Sequence, residues 1–349
     1  MGNVSEAFSF TADEGEFSGW APLGKTLVDL GKQHPGVVAV APDLGSAPIV
    51  GHFGQSFPER VVDCGIAECN AVSIAAGLAA SGCIPYVLQI GAFAALKCAE
   101  QIRTDLAYTR LPVRILAGWS GLSMAYFGTS HHSIEDIAIT RSITNLTVVS
   151  PSDPTSAEAV MRATLEHPGP VYFRFGAGEE RPIYSVPPAV GYGRFLRPRE
   201  GRDATIIATG IGVPCALAAA ERAQAEGLDV GVLDALFLKP IDEEAILAAA
   251  RTTGRLLTVE EHSVIGGLGT AVADVLARHH VSAHLSVHGL PDEPLLVAST
   301  PELYEHYGLT ADGVFRELEA LVARSSTGTG ASTRTVPSGS RLRNPSAAS

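Results

Sequence analysis

The segment Asp63-Cys64-Gly65-Ile66-Ala67-Glu68-Cys69-Asn70 decides how this chain is read, because it runs directly into a long uncharged stretch. No charged residue occurs from Ala71 to Leu96. Small and apolar residues after Glu68 predict a buried helix, so Glu68 is the last charged group before a segment that must be covered. A carboxylate at such a boundary either complements the helix dipole or takes part in proton chemistry.

Length, composition and charge limit what that carboxylate could serve. The chain has 349 residues, which favours two domains, each with its own core. Apolar residues make up 46% of it and charged residues 18%, as in a globular enzyme. A net charge of -12 argues against a nucleic-acid or anionic-membrane surface, since both need clustered Lys and Arg. Small molecules and protein partners remain.

Cysteines and targeting signals indicate a cytoplasmic protein. The five cysteines show neither a C-x-x-C pair nor zinc-type spacing, and their apolar neighbours predict reduced thiols. The N-terminus lacks the basic and apolar regions of a secretory signal. Gly77, Gly82, Pro85 and Gly91 interrupt the uncharged run, so we expect a helix, a turn and a strand there and no membrane span.

Strand-like and helix-like segments alternate along most of the chain. This spacing predicts an α/β fold with two doubly wound, mostly parallel sheets that carry helices on both faces. A Pro-rich and Arg-rich stretch without periodicity separates two such units. The expected organisation is an N-terminal arm, a first α/β domain, a linker, a second α/β domain and a disordered tail: 1–20, 21–181, 182–203, 204–324 and 325–349.

Several motifs, in order, resemble transketolase-like enzymes that depend on thiamine diphosphate. In the first unit these are Gly65-Ile66-Ala67-Glu68, Glu100-Gln101-Ile102-Arg103 and Thr129-Ser130-His131, which resemble the pyrimidine-binding domain. In the second unit Leu238-Lys239-Pro240-Ile241-Asp242 and Val259-Glu260-Glu261-His262 resemble the family's C-terminal domain. The resemblance covers most of the chain.

One motif of that family is missing, and its absence predicts a partner. No G-D-G followed by Asn, which in the family holds the diphosphate through a divalent cation, occurs in this sequence. The chain therefore resembles the C-terminal subunit of a split transketolase. The resemblance implies an N-terminal subunit that binds the diphosphate and a cation such as Mg²⁺, a shared thiamine diphosphate, and a heterotetramer; no metal site is expected on this chain.

The resemblance gives Glu68 a mechanism. Thiamine diphosphate acts as an electron sink, and its thiazolium carbon must lose a proton near neutral pH. In the family a glutamate hydrogen-bonds a ring nitrogen of the aminopyrimidine and favours the imino tautomer that removes this proton. An apolar site suits the role because desolvation raises the pKa of a carboxyl. Without the surrounding motif, the position of Glu68 would fit a residue that only complements the helix dipole.

The resemblance also implies which residues surround the aminopyrimidine. Phe93 falls where the family places a ring-stacking aromatic residue, and Ile90 and Leu96 fall where further aromatic residues often stand; Phe93 as plain core is the alternative. Asp43-Leu44 resembles the segment that lines the cofactor at the subunit interface, although a turn Asp is an equal alternative.

The substrate side departs from the pattern of sugar-phosphate transketolases. Trp119 and Phe127 stand where the family carries a His and an Asp, and Ala177 stands where a phosphate-binding arginine is expected. These changes argue against a sugar phosphate held in the usual way and for a flatter, less hydroxylated acceptor, whether small or carrier-bound. His131 is kept, and the resemblance implies that it donates to the bound two-carbon fragment. His132 stands beside it without an assigned role.

Two conspicuous motifs of the second unit are expected to be structural. Glu260-Glu261-His262 looks catalytic in isolation, but the family uses this domain for packing and dimerisation. Gly266-Gly267-Leu268-Gly269 opens a helix with a spacing that fits neither a dinucleotide fingerprint nor a P-loop.

The sequence thus predicts a transferase subunit that moves a two-carbon ketol or acyl unit onto an aldehyde-like acceptor. One alternative is the beta subunit of a 2-oxoacid dehydrogenase or a pyruvate-using acyl-transfer enzyme. Another is a non-catalytic scaffold subunit, against which Glu68, Phe93 and His131 speak. Donor and acceptor remain open at this level.

Overall fold

The structure is a computed structural model that describes residues 20–45, 47–177 and 182–326. The predicted arm, apart from Trp20, and the predicted tail after Ser326 lie outside the described residues. The helices are α1 (Trp20–Gln33), α2 (Pro48–Ser56), α3 (Glu68–Ala80), α4 (Ala99–Gln101), α5 (Asp136–Ser142), α6 (Pro154–Ala163), α7 (Gly212–Ala225), α8 (Glu243–Thr253), α9 (Leu268–Arg278), α10 (Thr300–Tyr307) and α11 (Ala311–Ser326).

The described strands form two sheets, as the α/β prediction required. The strands are β1 (Val37–Ala41), β2 (Val61–Asp63), β3 (Ile84–Ile90), β4 (Arg114–Gly118), β5 (Thr147–Val149), β6 (Val171–Arg174), β7 (Leu196–Arg199), β8 (Ala204–Ala208), β9 (Val230–Asp234), β10 (Phe237–Lys239), β11 (Arg255–Ser263) and β12 (His284–Leu290). The first sheet has the order β10-β5-β6-β4-β3-β1-β2, and the second has the order β12-β11-β8-β9-β7.

Parallel pairing dominates both sheets. In the first sheet β10 pairs antiparallel with β5, and in the second β7 pairs antiparallel with β9. The strand residues are buried almost throughout, as expected for parallel sheets covered on both faces. Among the described helices, none combines the length and apolar composition needed to cross a bilayer.

Two antiparallel edge strands differ from the sequence-based expectations. β7 lies within residues 182–203, which we expected to be a linker, so the second half of that stretch is part of the second sheet. β10 comes from the second half of the chain but completes the first sheet. Both are short, and neither shows the alternation by which a strand is recognised in sequence. The two halves of the chain are thus joined by backbone pairing as well as by side chains.

Two helical regions also differ from the prediction. Residues 45–58 were expected to form a loop, yet α2 occupies Pro48–Ser56 and buries Ile49, Val50 and Phe53 against α1. Its Gly and Pro content hid this apolar face. The helix expected from Phe93 to Tyr108 is irregular, with π-helical turns at Phe93–Lys97 and Ile102–Ala107 on either side of α4. Such turns occur often at functional sites.

Candidate active site

The predicted site residues gather at the carboxyl edge of the first sheet. Parallel strands end at the same edge, and ligands of open α/β sheets bind there. Asp43 follows β1, Glu68 follows β2, Phe93 follows β3 and Trp119 follows β4. The fold therefore brings four segments that are distant in sequence to one side of the molecule.

Glu68 is the first residue of α3 and is almost fully buried, with 6% exposure. The turn before it is fixed by Asp63, whose Oδ1 accepts hydrogen bonds from the backbone N–H of Gly65 at 2.9 Å and of Asp43 at 3.3 Å. Gly65 has φ +64°, a conformation that favours glycine. Gln89, buried in β3, donates from Nε2 to the carbonyl of Glu68 at 2.9 Å. The backbone around the carboxylate is thus held from both sides.

Lys97 holds the carboxylate itself. Its Nζ lies 2.7 Å from Oε2 of Glu68, and the same ammonium lies 5.6 Å from the centroid of the Phe93 ring. Burial alone would raise the pKa of the Glu68 carboxyl, but the hydrogen bond and charge of Lys97 outweigh it, and the pKa is lowered. This differs from the expected rise, which considered burial alone.

Lys97 is the functional residue that sequence reasoning missed, although a signal was present. Glu68 and Lys97 are the charged residues that bracket the uncharged run, and the fold closes that run by pairing its two ends. The π-helical turn places Phe93 and Lys97 on one side of the segment. A regular α-helix was expected there, so this arrangement was not predicted.

Phe93 connects the carboxylate to a cluster of rings. Its ring meets that of His131 edge-on, with centroids 5.1 Å apart. Phe127 stacks on the other side of His131 at 4.5 Å, and it is itself 38% exposed. Nδ1 of His131 lies 2.8 Å from the hydroxyl of Ser130. The structure thus brings Glu68, Phe93, Phe127 and His131 into one continuous cluster through Lys97.

His131 is poised as a neutral imidazole. Burial, and then the neighbouring His132, lower the pKa of His131 below its usual value. A neutral ring carries one N–H donor and one free acceptor, so it can donate to an oxygen without carrying a charge.

Two of the expected substrate-pocket residues lie apart from this cluster. His132 is buried and donates from Nε2 to the carbonyl of Ala125 at 3.0 Å, because adjacent residues point in opposite directions here. Trp119 packs on Trp20, with ring centroids 4.2 Å apart, and joins the core beneath the sheet edge. These contacts give both side chains a packing role.

The remaining predicted residues lie around the cluster without contacting its carboxylate. Ile90 is half-buried at the end of β3, and Leu96 is half-exposed on the π-helical turn beside Lys97. Asp43 is exposed with φ +60°, and Leu44 packs against the core formed by α1 and α2. Asp43 reaches the site only through the turn that it shares with Asp63.

A buried ionic network holds the loop that carries His131. Arg174, at the end of β6, donates from Nε to Asp136 at 2.9 Å and from Nη2 to the backbone carbonyl of Glu261 at 2.7 Å. The Glu261 carboxylate accepts from the backbone N–H of Leu122 and the hydroxyl of Tyr304, each at 2.7 Å. A Cβ at Gly121 would lie 2.0 Å from this carboxylate. The second domain therefore sets the position of the loop.

Glu260 and His262 also bind within the fold. Glu260 accepts from the backbone N–H groups of Leu268 and Gly269 at 2.5 and 2.8 Å, where α9 begins. Nε2 of His262 accepts from the backbone N–H of Ala138 at 3.2 Å. Burial lowers the pKa of His262 and keeps its ring neutral. These contacts support the structural interpretation of Glu260-Glu261-His262 and of the glycine-rich turn.

Comparisons with known proteins agree with this geometry. The family described as "Transketolase, pyrimidine binding domain" matches residues 18–181, and the family described as "Transketolase, C-terminal domain" matches residues 191–314. One of the two subunits of an apulose-4-phosphate transketolase, from Phocaeicola vulgatus, is 36% identical over 83% of this chain and 92% of its own length. The chain belongs to the transketolase family.

Further relatives of this transketolase chain are also single subunits. The 6-deoxy-6-sulfo-D-fructose transketolase subunit of a Clostridium species is 37% identical over 85% of this chain and 92% of its own length. A solved structure described as a split gene transketolase, an inactive beta4 tetramer, superposes with a TM-score of 0.80 at 37% identity, covering 87% of this chain and 97% of that one. A Pichia stipitis transketolase, at 20% identity and a TM-score of 0.74, shows the fold alone; this chain covers 46% of it.

The chain is thus the C-terminal subunit of a split transketolase, as the motifs predicted. It belongs to a thiamine-diphosphate-dependent transferase that moves a two-carbon ketol unit, and it acts with a partner subunit.

Proposed function

We propose that this subunit contributes the aminopyrimidine side of a shared active site, with Glu68 as its proton-relay group and His131 as its donor to the substrate. The observation that carries the proposal is the continuous cluster at the sheet edge, in which Lys97 contacts both the buried carboxylate of Glu68 and the ring of Phe93. A scaffold subunit would have no need for a carboxylate held at this point.

The residues present fit an aminopyrimidine. Lys97 occupies Oε2 of Glu68, which leaves Oε1 for a ring nitrogen, and Phe93 offers an aromatic surface next to it. When bound, thiamine diphosphate supplies a carbanion-forming electron sink. Glu68 would exchange a proton with the ring nitrogen, and its lowered pKa favours the proton on the nitrogen.

His131 would act on the substrate side of the same cluster. Its neutral ring can donate a hydrogen bond to the oxygen of a carbonyl or hydroxyl group, and Ser130 fixes the ring through Nδ1. Phe127, stacked on His131, presents an apolar face beside the donor and excludes water from it.

Replacing Glu68 by Gln tests the proton-relay role. We expect turnover by the complex of this chain with its partner subunit to fall by about 10²–10⁴-fold, because the amide cannot exchange the proton. The measurement is kcat for two-carbon transfer, with the intact complex verified by gel filtration. Serine in place of Cys69, the next residue of α3, is the matched control and should retain activity. Unchanged turnover in Glu68→Gln would favour the scaffold interpretation.

The acceptor is proposed to be less hydroxylated than a standard sugar phosphate. Trp119 fills space against Trp20, and Phe127 lines the site with an apolar ring, where polar groups were expected. The two relatives named for apulose 4-phosphate and 6-deoxy-6-sulfo-D-fructose show that similar subunits serve unusual sugars. We expect a higher kcat/KM for apolar or unphosphorylated aldehydes than for ribose 5-phosphate; the reverse preference in a competition assay would refute this.

The partner is proposed to hold the diphosphate and its divalent cation, such as Mg²⁺. The relatives of matching length are named as subunits, which supports a separate chain for that role. We further propose a heterotetramer in the cytoplasm; the free state of all five cysteines is consistent with a reducing compartment.

A further inference from the structure

A second cavity lies at the opposite edge of the first sheet from the site described above. It has a volume of about 470 Å³ and lies where β5 and β6 begin, with Thr147 and Gly169 in its wall. Cavities of this size bind small organic molecules. The catalytic cluster lies at the carboxyl ends of the strands and this cavity at their amino ends, so the two are separate.

The cavity wall is basic although the protein is strongly acidic. Arg110 and Lys239 line it, and none of its lining residues in the described chain is acidic. Lys239 is half-buried and donates to the carbonyls of Arg141, at 2.9 Å, and Ile143. No carboxylate of the described residues lies within ion-pair distance of either cation. A bound anion would supply the missing negative charge.

A third cation lies directly behind the wall. Arg114 is completely buried, and its guanidinium donates to the carbonyls of His167 at 2.7 Å and Gly169 at 3.2 Å, two residues that line the cavity. Within the described chain it has only carbonyl partners and no carboxylate. A buried charge without an opposite charge is costly, and its field reaches further in the protein interior than in water. The positive potential of the cavity therefore does not depend on exposed side chains alone.

The backbone at Arg110 indicates that its side chain is retained for a reason. Arg110 ends the helical segment after α4 with φ +58°, a left-handed conformation in which glycine is the usual residue. An arginine there is strained relative to glycine, because its Cβ crowds the following carbonyl oxygen. The strained backbone places a guanidinium at the mouth of the cavity.

The other side of the cavity is flat and aromatic. The rings of His167 and Tyr192 stack with centroids 4.9 Å apart and an interplanar angle of 21°. Thr147 fixes both rings, because its hydroxyl lies 2.8 Å from the hydroxyl of Tyr192 and 3.3 Å from Nε2 of His167. A planar ring could lie against this surface while an anionic group reaches Arg110 and Lys239.

We propose that this cavity binds a small molecule in which a phosphate group is joined to a planar ring, as in a mononucleotide. Arg110 and Lys239 would bind the phosphate, and Tyr192 with His167 would contact the ring. Because the site lies away from the catalytic edge, its occupant would act as an effector and not as a substrate. The proposal does not depend on the proposed role of Glu68.

Calorimetric titration of the full chain with AMP, adenosine and inorganic phosphate tests the proposal. We expect AMP to bind at least tenfold more tightly than either fragment, since only AMP engages both sides of the cavity. Equal binding of AMP and inorganic phosphate would overturn the assignment of the ring surface. Undetectable binding of AMP would overturn the site.

Two variants and a matched control locate the binding. Arg110→Gln should weaken AMP binding about tenfold, and its exposed position makes misfolding no concern. Tyr192→Ala should weaken AMP and leave inorganic phosphate unchanged. Lys25→Gln, which removes an exposed cation from α1, should leave AMP binding as it is. If Lys25→Gln and Arg110→Gln weaken AMP equally, the attraction is general and the proposal fails.

Discussion

The ion pair between Glu68 and Lys97 sets the charge of the carboxylate on which the proposed mechanism depends. Burial and the ammonium act in opposite directions on the pKa of Glu68, and the ammonium prevails. The groups that face this pair are the thiols of Cys69 and Cys98, and both lie beside Lys97. The thiol of Cys98 has its pKa raised by burial and by Cys69, so at neutral pH it adds no charge.

Replacing Lys97 by Met should therefore raise the pKa of Glu68, because burial is then unopposed. We expect the acid limb of kcat/KM for the reconstituted complex to move to higher pH. The measurement is the pH profile of kcat/KM. Lys97→Arg keeps the cation and should restore the original limb, whereas Lys32→Met, on exposed α1, should not move it. Superimposable profiles for Lys97→Met and the unmodified complex would contradict the role.

The same ion pair should be visible in the stability of the free chain. The pKa of Glu68 is lowered on folding, so its contribution to stability is present above the unfolded pKa of about 4.3 and is lost as pH falls through the folded value. Lys97→Met should remove this part of the acid destabilisation, which urea unfolding between pH 3 and pH 6 would measure.

Single residues of the site were predictable where one residue carried the signal. Glu68 stands out because nothing charged follows it for almost thirty positions, and the surrounding motif gave its role. Lys97 was not predictable in the same way, because its contact with Glu68 spans 29 residues and depends on the packing of a π-helical turn against α3. His132 was misjudged because sequence adjacency to His131 says nothing about which face a side chain takes.

At the scale of elements, the loop between β4 and α5 is the part of the site that depends most on its support. Gly121 has φ +66°, and its backbone N–H and carbonyl pair with Ser133 across the loop. The carboxylate of Glu261 lies where a side chain at position 121 would begin. The loop and the second domain can approach this closely only because residue 121 is a glycine.

Gly121→Ala should destabilise the protein by about 2–4 kcal/mol, because it combines backbone strain with a clash against a buried carboxylate. The measurement is urea unfolding of the full chain. Gly77→Ala is the matched control: residue 77 is exposed in the middle of α3, and a Cβ there meets nothing within 4 Å. Alanine should stabilise that helix by up to about 1 kcal/mol. Similar effects at both glycines would show that the loop tolerates the displacement.

The elements that the sequence predicted were those with a clear period. The buried strands β1, β3, β4, β6, β8 and β9 were all expected at or near their observed positions. The α2 helix was missed because two glycines and a proline mask three apolar residues, and α1 accommodates it through its own glycines, Gly24 and Gly31. This packing is a tertiary effect that local composition does not report.

At the scale of the whole molecule, the two domains are joined by buried polar groups that the sequence did not indicate. Arg174 and Asp136 of the first domain meet Glu261 of the second. A second link is Asp234, at the end of β9, whose Oδ2 accepts from the hydroxyls of Ser152 at 2.6 Å and Tyr184 at 3.0 Å. Each link joins residues more than thirty positions apart, so no local pattern announces it.

The link at Asp234 predicts a pH dependence of stability. Burial raises the pKa of this carboxyl to about 7, although the two hydroxyl donors oppose the rise and Asp153 adds to it. The unfolded pKa is about 3.9, so the folded state binds an extra proton between these values. The free energy of unfolding should therefore fall as pH rises from about 4 to about 7 through this group.

Asp234→Asn should remove that slope, because the amide cannot ionise and its oxygen can still accept from Ser152 and Tyr184. We expect the variant to gain stability relative to the unmodified chain between pH 5 and pH 8, by about 1–3 kcal/mol in urea unfolding. Asp292→Asn, on the surface, should change stability equally at both pH values. Parallel curves for Asp234→Asn would mean that Asp234 stays ionised in the fold, and that the two domains meet across a buried negative charge stabilised by its hydroxyl donors alone.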